Sequence, residues 1–210
     1  MQLRHQTSLT SKEYVTRKWW REASLVHCPA HPRGGCHFHR HGTYLRVAPP
    51  GMRIARLYCP EARRTWSLLP DCLSSHFRGD LTTVEDVVAI VEAGKSVEAA
   101  ADALRSLAIS LPAAVRWVRR RLAPVRAALL AIFTLMPQIF AGYVPTVYEA
   151  RRILCTTSAL ATLRDIVADR LAALPPPLGF GPRVKTRRRR RQRRERRQHK
   201  VGADPPGQPV

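Results

Sequence analysis

Residues 52–69 read MRIARLYCPEARRTWSLL, and the character of the N-terminal third turns on this stretch. MRIARLY (52–58) and RTWSLL (64–69) are short runs rich in strand-forming residues, with CPEAR between them. Upstream, HFHRHGTYLRV (37–47) is separated from MRIARLY by APPG (48–51), whose Pro and Gly make a turn. The spacing predicts a β-hairpin over 37–58, with 64–69 as a third short strand.

Cys59-Pro60 is how many zinc-binding turns begin, yet Ala62 stands where a second cysteine would complete C-x-x-C. A partner turn exists upstream in CPAH, Cys28-x-x-His31, and the 27 residues between His31 and Cys59 contain the hairpin. Structural zinc takes four ligands, so Cys28, His31 and Cys59 form three of a set whose fourth is missing at Ala62. Cys36, His37, His39 and His41 lie nearby, and Cys72 follows the third strand. In an extended strand His37, His39 and His41 share one face and Cys36 the other. Two readings stand: a zinc site finished by such neighbours, and a metal-free remnant whose histidine face touches phosphate.

From Leu81 the period becomes helical. Thr82 and Glu85 match a capping box, and Val84, Val87, Val88 and Val91 follow at i, i+3, i+4 and i+7. Gly94 is placed to end that helix and Ser96 to cap a second, with Val97, Ala100, Ala101 and Leu104 inward. SLAIS (106–110), with Ala108 where such turns often carry Gly, precedes a third helix, LPAAVRWVRRRL (111–122), capped by Ser110. This is the layout of a helix-turn-helix over 83–122, its alanine-rich second helix admitting a close crossing. At about 100° per residue, Val115, Val118, Leu122 and Val125 form an inner stripe on helix three. Arg116, Trp117 and Arg120 lie opposite, with Arg119 and Arg121 on the flanks, and these five are the expected DNA contacts. Residues 82–105 carry five acids and two bases, whereas 116–126 carry five arginines and no acid.

Charge points the same way. Lys+Arg number 36 against 15 Asp+Glu, a formal net of +21, and 31 of the 36 are arginine. Such an excess favours polyanions, and the arginine fork suits phosphate and guanine. Residues 183–200 hold 12 basic residues and one acid. Arg187, Arg188, Arg189, Arg190, Arg191, Arg193 and Arg194 are the expected tail contacts to nucleic acid. An RNA-binding protein acting through this tail is the alternative, since arginine-rich segments fold on structured RNA.

Five cysteines in 210 residues do not make a disulfide scaffold, and the N-terminus has no secretory core, so a cytoplasmic, nucleoid-associated protein is expected. Residues 127–144 (AALLAIFTLMPQIFAGYV) are apolar enough to raise a membrane span, but Pro137 near the middle favours a buried helix pair. EARRILCTTSALATLRDIVADRLAALP (149–175) has helical periodicity, and LPPPLGFGPR (174–183) ends the fold. No P-loop, G-x-S-x-G or H-E-x-x-H occurs, and the acids after residue 110 lie on helical segments or in the tail, so no catalytic centre is expected.

CPAH, HRHGTYLR, IARLYCPEARRTWSLLPD and LPPPLGFG, together spanning Cys28 to Gly181, resemble a bacterial family of insertion-sequence-associated, transposase-like proteins. The family pairs a zinc ribbon with a helix-turn-helix and has no established reaction. Its two C-x-x-C knuckles map onto Cys28, His31, Cys59 and Ala62, and the resemblance implies nucleic-acid binding. Self-association or a transposition partner would fit it.

The expectation is therefore an α+β, mainly α chain. Residues 1–24 are a flexible arm, 25–76 a degenerate zinc-ribbon-like β module, 77–181 a helical domain, and 182–210 a disordered Arg-rich tail.

Overall fold

Four strands, β1 (Gln2–His5), β2 (His39–Leu45), β3 (Arg53–Cys59) and β4 (Arg64–Pro70), form one mixed sheet in the order β1-β4-β3-β2. The computed structural model describes residues 1–94, 96–106 and 114–181, the side chains of 103–106 excepted. β2, β3 and β4 are the expected antiparallel meander, with Ala55 opposite both Thr43 and Leu68. Along β3 the pleat separates Ala55, Leu57 and Cys59, all buried, from Arg56 and Tyr58, which are half-exposed. β4 repeats the pattern, with Trp66 and Leu68 buried and Thr65 and Ser67 half-exposed.

Residues 1–24, expected as a weakly structured arm, belong to this unit instead. β1 pairs in parallel with β4, Leu3 opposite Leu68. Helix α1 (Ser11–Thr16) opens on a capping box between Thr10 and Glu13. Tyr14 is fully buried with Met52, Ile54, Leu69 and Leu73, and Trp19 and Trp20 pack against them. A four-residue strand and a six-residue helix contain too few apolar positions to show a period, which hid them in a polar sequence.

Among the described residues six further α-helices follow: α2 (Leu81–Ala93), α3 (Val97–Ser106), α4 (Ala114–Leu135), α5 (Pro137–Phe140), α6 (Val147–Leu154) and α7 (Ala159–Ile166). The expected capping box at Thr82 does not form. Asp80 is the N-cap, accepting from the Thr83 N–H at 2.9 Å. Glu85 is thereby turned inward, 1 % exposed. Its carboxylate accepts from the N–H groups of Ala159 (3.0 Å) and Leu160 (2.9 Å) and pairs with Arg151 at 2.7 Å. Ser96 caps α3 as expected, accepting from the Ala99 N–H at 3.0 Å.

Helix three does not stop near Leu122. α4 runs on through Pro124 to Leu135, burying Val118, Leu122, Val125, Ala128, Leu129, Ile132 and Phe133. Proline withholds one hydrogen bond, and the carbonyl it leaves belongs to exposed Arg120, where solvent can replace the donor. The apolar segment 127–144 is the end of α4 plus α5, with Pro137 at the first turn of α5 and Phe133 stacked on Phe140 at 4.2 Å between ring centroids. Among the described residues, no helix is long and apolar enough to cross a membrane. The periodic stretch 149–175 is divided between two α-helices and a 3-10 turn (Ala168–Arg170), because Cys155 adopts a left-handed backbone (φ 49°) and the Glu85 carboxylate then starts α7.

Arg164, 1 % exposed, joins the sheet to the helices. Its guanidinium donates to the carbonyls of Leu178 (3.1 Å), Asp71 (2.9 Å), Leu73 (2.7 Å) and Pro177 (2.7 Å). The LPPPLGFG segment is thus folded back against the chain. Gly179 approaches so closely that a Cβ there would lie 2.2 Å from the Leu174 carbonyl oxygen. The expected turn at Ala108, the cap at Ser110 and the tail arginines Arg187 to Arg191, Arg193 and Arg194 lie outside the described residues.

Candidate metal centre and helical surface

The turn after β3 has the shape of a knuckle. The Arg63 N–H reaches the Pro60 carbonyl at 3.1 Å, Arg63 takes a left-handed backbone (φ 48°), and the Ala62 N–H points at the Cys59 sulfur at 3.4 Å. CPAH makes the facing turn, with the His31 N–H on the Cys28 carbonyl at 3.0 Å. His31 Nδ1 lies 3.6 Å from Cys28 Sγ and 3.5 Å from Cys59 Sγ.

A donor in place of the one missing at Ala62 stands nearby. Donor atoms of Cys28, His31, Cys36 and Cys59 all lie within 4.8 Å of one another, a set that could hold a metal ion. Cys36 arrives because Gly34 and Gly35, both at positive φ (82° and 79°), reverse the chain after His31. It is then pinned from the next residue. The His37 N–H lies 3.1 Å from Glu61 Oε1, and its ring Nδ1 is 2.6 Å from the same oxygen. That embrace holds the Glu61 carboxyl down at about 2. Ala62 packs beside Cys28, Cys59 and Trp66 and serves as filler.

Burial raises the Cys28 thiol, but hydrogen bonds from His31, the backbone and Cys36 prevail and bring it to about 7. Burial, with Glu61, Cys28 and Cys36 alongside, pushes Cys59 up to about 11 against the Ala62 N–H. A cation would relieve this competition for protons by binding the deprotonated thiols. Cys72 takes no part and lies against α1 and the Tyr14 cluster. His39 and His41 also stand apart, their rings gathered on Tyr58 at 5.9 and 5.3 Å. The signal for Cys36 in the sequence was HPRGGC, where a glycine pair precedes the cysteine.

On α4, the expected contact residues divide. Arg116, Arg119 and Arg120 are exposed. Arg119 pairs with Glu98 of α3 at 2.8 Å, both side chains more than half exposed, a weak tie in water. Trp117, expected outward, is half-buried and packs against the helical core. Arg121 folds over it, 3.5 Å above the ring and donating to the Trp117 carbonyl, and burial pulls its guanidinium down to about 10. Val115, expected on the inner stripe, is half-buried, and Ala114 takes the buried place. Among the described residues, no carboxylate pairs with Arg116 or Arg120, which stand one turn apart on one face.

Compared with family models, with curated proteins and with solved structures, the chain matches none of them.

Proposed function

We propose that this chain is a DNA-binding protein of helix-turn-helix type, with no catalytic centre of its own, in which the first half of α4 enters the major groove. The observation that carries the reading is the division of α4. Ala114, Val118 and Leu122 are buried in the helical core, in a helix that packs on α2 and α3, while Arg116 and Arg120 are exposed and have no carboxylate partner among the described residues. Paired guanidinium forks one turn apart suit guanine edges or adjacent phosphates. The resemblance to insertion-sequence-associated proteins supports the same class, with a role in transposition or its regulation. The arginine-rich tail adds sequence-independent phosphate affinity.

Zinc is the ion we assign to the Cys28, His31, Cys36 and Cys59 set. Zinc–sulfur and zinc–nitrogen bonds of about 2.3 and 2.0–2.1 Å at tetrahedral angles separate sulfur from nitrogen by about 3.6 Å. The observed separations are 3.5 and 3.6 Å. Three thiolates and an imidazole make a closed set, so the ion braces the loops and leaves no open position for chemistry.

The test is titration of labelled duplex DNA and duplex RNA with the full chain and with Arg116→Ala/Arg120→Ala, at several salt concentrations. Loss of two phosphate contacts reduces the slope of log affinity against log salt by about 1.8. Loss of base contacts instead relaxes discrimination between sequences. If the double variant binds DNA with wild-type affinity, slope and specificity, the α4 reading fails. Preference for RNA would move the function to the tail.

A further inference from the structure

We propose that the open half of the sheet is a stacking platform for single-stranded DNA, centred on Tyr58, His39 and His41. The pleat defines the surface. Tyr58 pairs across β2 with His39 and across β4 with Thr65, while Arg56 pairs with Ser67, which lies beside Gln2 of β1. Tyr58, Arg56, Thr65 and Ser67 are half-exposed and His39 is exposed, whereas the alternate residues of β3 and β4 in this region are buried.

His41 joins the group through an irregularity. The register slips between Arg40 and Thr43, where Gly42 sits at φ 85°, and the His41 ring comes to lie 5.3 Å from Tyr58 and 6.4 Å from His39. Three rings thus gather on an exposed strand surface, and among the described residues Tyr58 belongs to none of the apolar clusters. Their arrangement is edge-on and tilted, so the three rings do not stack face to face on one another.

The charge around the rings selects the partner. Arg56 shares the face, and exposed Arg63 stands in the turn beyond Tyr58. Among the described residues, neither has a carboxylate partner. Glu61, the acid of that turn, is already engaged by His37. Planar rings flanked by unpaired guanidinium groups suit a chain of unstacked bases on a phosphate backbone, the recognition mode of non-specific single-strand binders. A duplex hides its base faces, so it cannot use the rings. The choice of DNA over RNA rests on the duplex-DNA reading above; the platform itself does not.

The full chain is to be titrated with a labelled 12-mer of thymidines, the matching uridine 12-mer and a 12-base-pair duplex. Variants are Tyr58→Leu, which keeps bulk and removes the ring, and Tyr58→Phe, which keeps the ring. Folding of each is checked by thermal melting. Tyr58→Leu weakens the thymidine 12-mer roughly 5- to 160-fold, the range for one stacked base, while Tyr58→Phe binds as wild type. Duplex affinity is unchanged in both. In parallel, a 12-mer carrying 5-iododeoxyuridine is photocrosslinked, and the attached residue is Tyr58, His39 or His41. Crosslinks confined to α4 or the tail would overturn the platform, whatever the affinity. So would equal losses for Tyr58→Leu and Tyr58→Phe. Tighter binding of the uridine strand, crosslinked at the same rings, would overturn the assignment to DNA. Because Arg116→Ala/Arg120→Ala reports only on the duplex, failure of either reading is visible without the other.

Discussion

Replacing Arg164 tests how the two halves of the fold are joined. The side chain is 1 % exposed, and its three nitrogens donate to four backbone carbonyls at 2.7–3.1 Å. Two of those carbonyls, Asp71 and Leu73, lie in the segment leaving β4. The others, Pro177 and Leu178, lie in LPPPLGFG. Burial pulls the guanidinium down to about 10, so it stays charged at neutral pH, and its desolvation already opposes folding. For that reason the four bonds are not summed as a net gain. The loss is better judged from what Arg164→Met leaves behind, four carbonyls without their donor in a buried place. At about 1–3 kcal/mol for each unsatisfied group, with partial relief from entering water, the expected loss is roughly 4 kcal/mol. That is a large part of the 5–15 kcal/mol typical of a domain. Arg164→Lys, with three donors radiating from one point, recovers about half. Urea unfolding followed by circular dichroism and by tryptophan fluorescence provides the measurement. Trp19, Trp20 and Trp66 weight the fluorescence toward the sheet side, with Trp117 alone among the helices, whereas circular dichroism follows mainly the helices. Besides a lower midpoint, the two probes should separate in Arg164→Met, because the link between the halves is cut. A loss below about 1 kcal/mol, with coincident transitions, would refute the reasoning.

Four further outcomes are expected. Gly179→Ala forces a Cβ into the Leu174 carbonyl oxygen, and since the neighbour is backbone the loss is roughly 1–3 kcal/mol, or about 2–12 °C in melting temperature. Glu85→Ala strips the acceptor from the start of α7 and from Arg151, lowering stability by roughly 2–4 kcal/mol in urea titration. Asp86→Ala, on the exposed side of the same arginine, changes it by less than about 1 kcal/mol. Cys36→Ser weakens zinc retention at least about tenfold in competition with a chromophoric chelator, whereas Ala62→Ser retains it; equal retention by Cys36→Ser would remove Cys36 from the ligand set.

The sequence by itself determined the meander and the helical succession. Alternation in MRIARLY and RTWSLL leaves only one pleat that buries Leu57, Trp66 and Leu68 together, and the valines of α2 define a single inner stripe. Those patterns are local and repeat within a few residues. It also placed Cys28, His31 and Cys59 in facing turns, because each turn is set by its own proline and spacing.

What only the tertiary structure decided are encounters between distant residues. Cys36 entered the cluster through a glycine-pair reversal and the His37–Glu61 clasp, which joins residues 24 apart. Glu85 exchanged an expected local cap for the N-terminus of α7, 74 residues away. β1 was invisible as a strand until β4 offered it an edge, and Pro124 did not stop α4 because the core beyond it binds the next three turns. Local preference amounts to about a kilocalorie per residue, and burial of a whole helix face outweighs it. A chain written in short-range rules thus took its decisive contacts from partners that no local window contains.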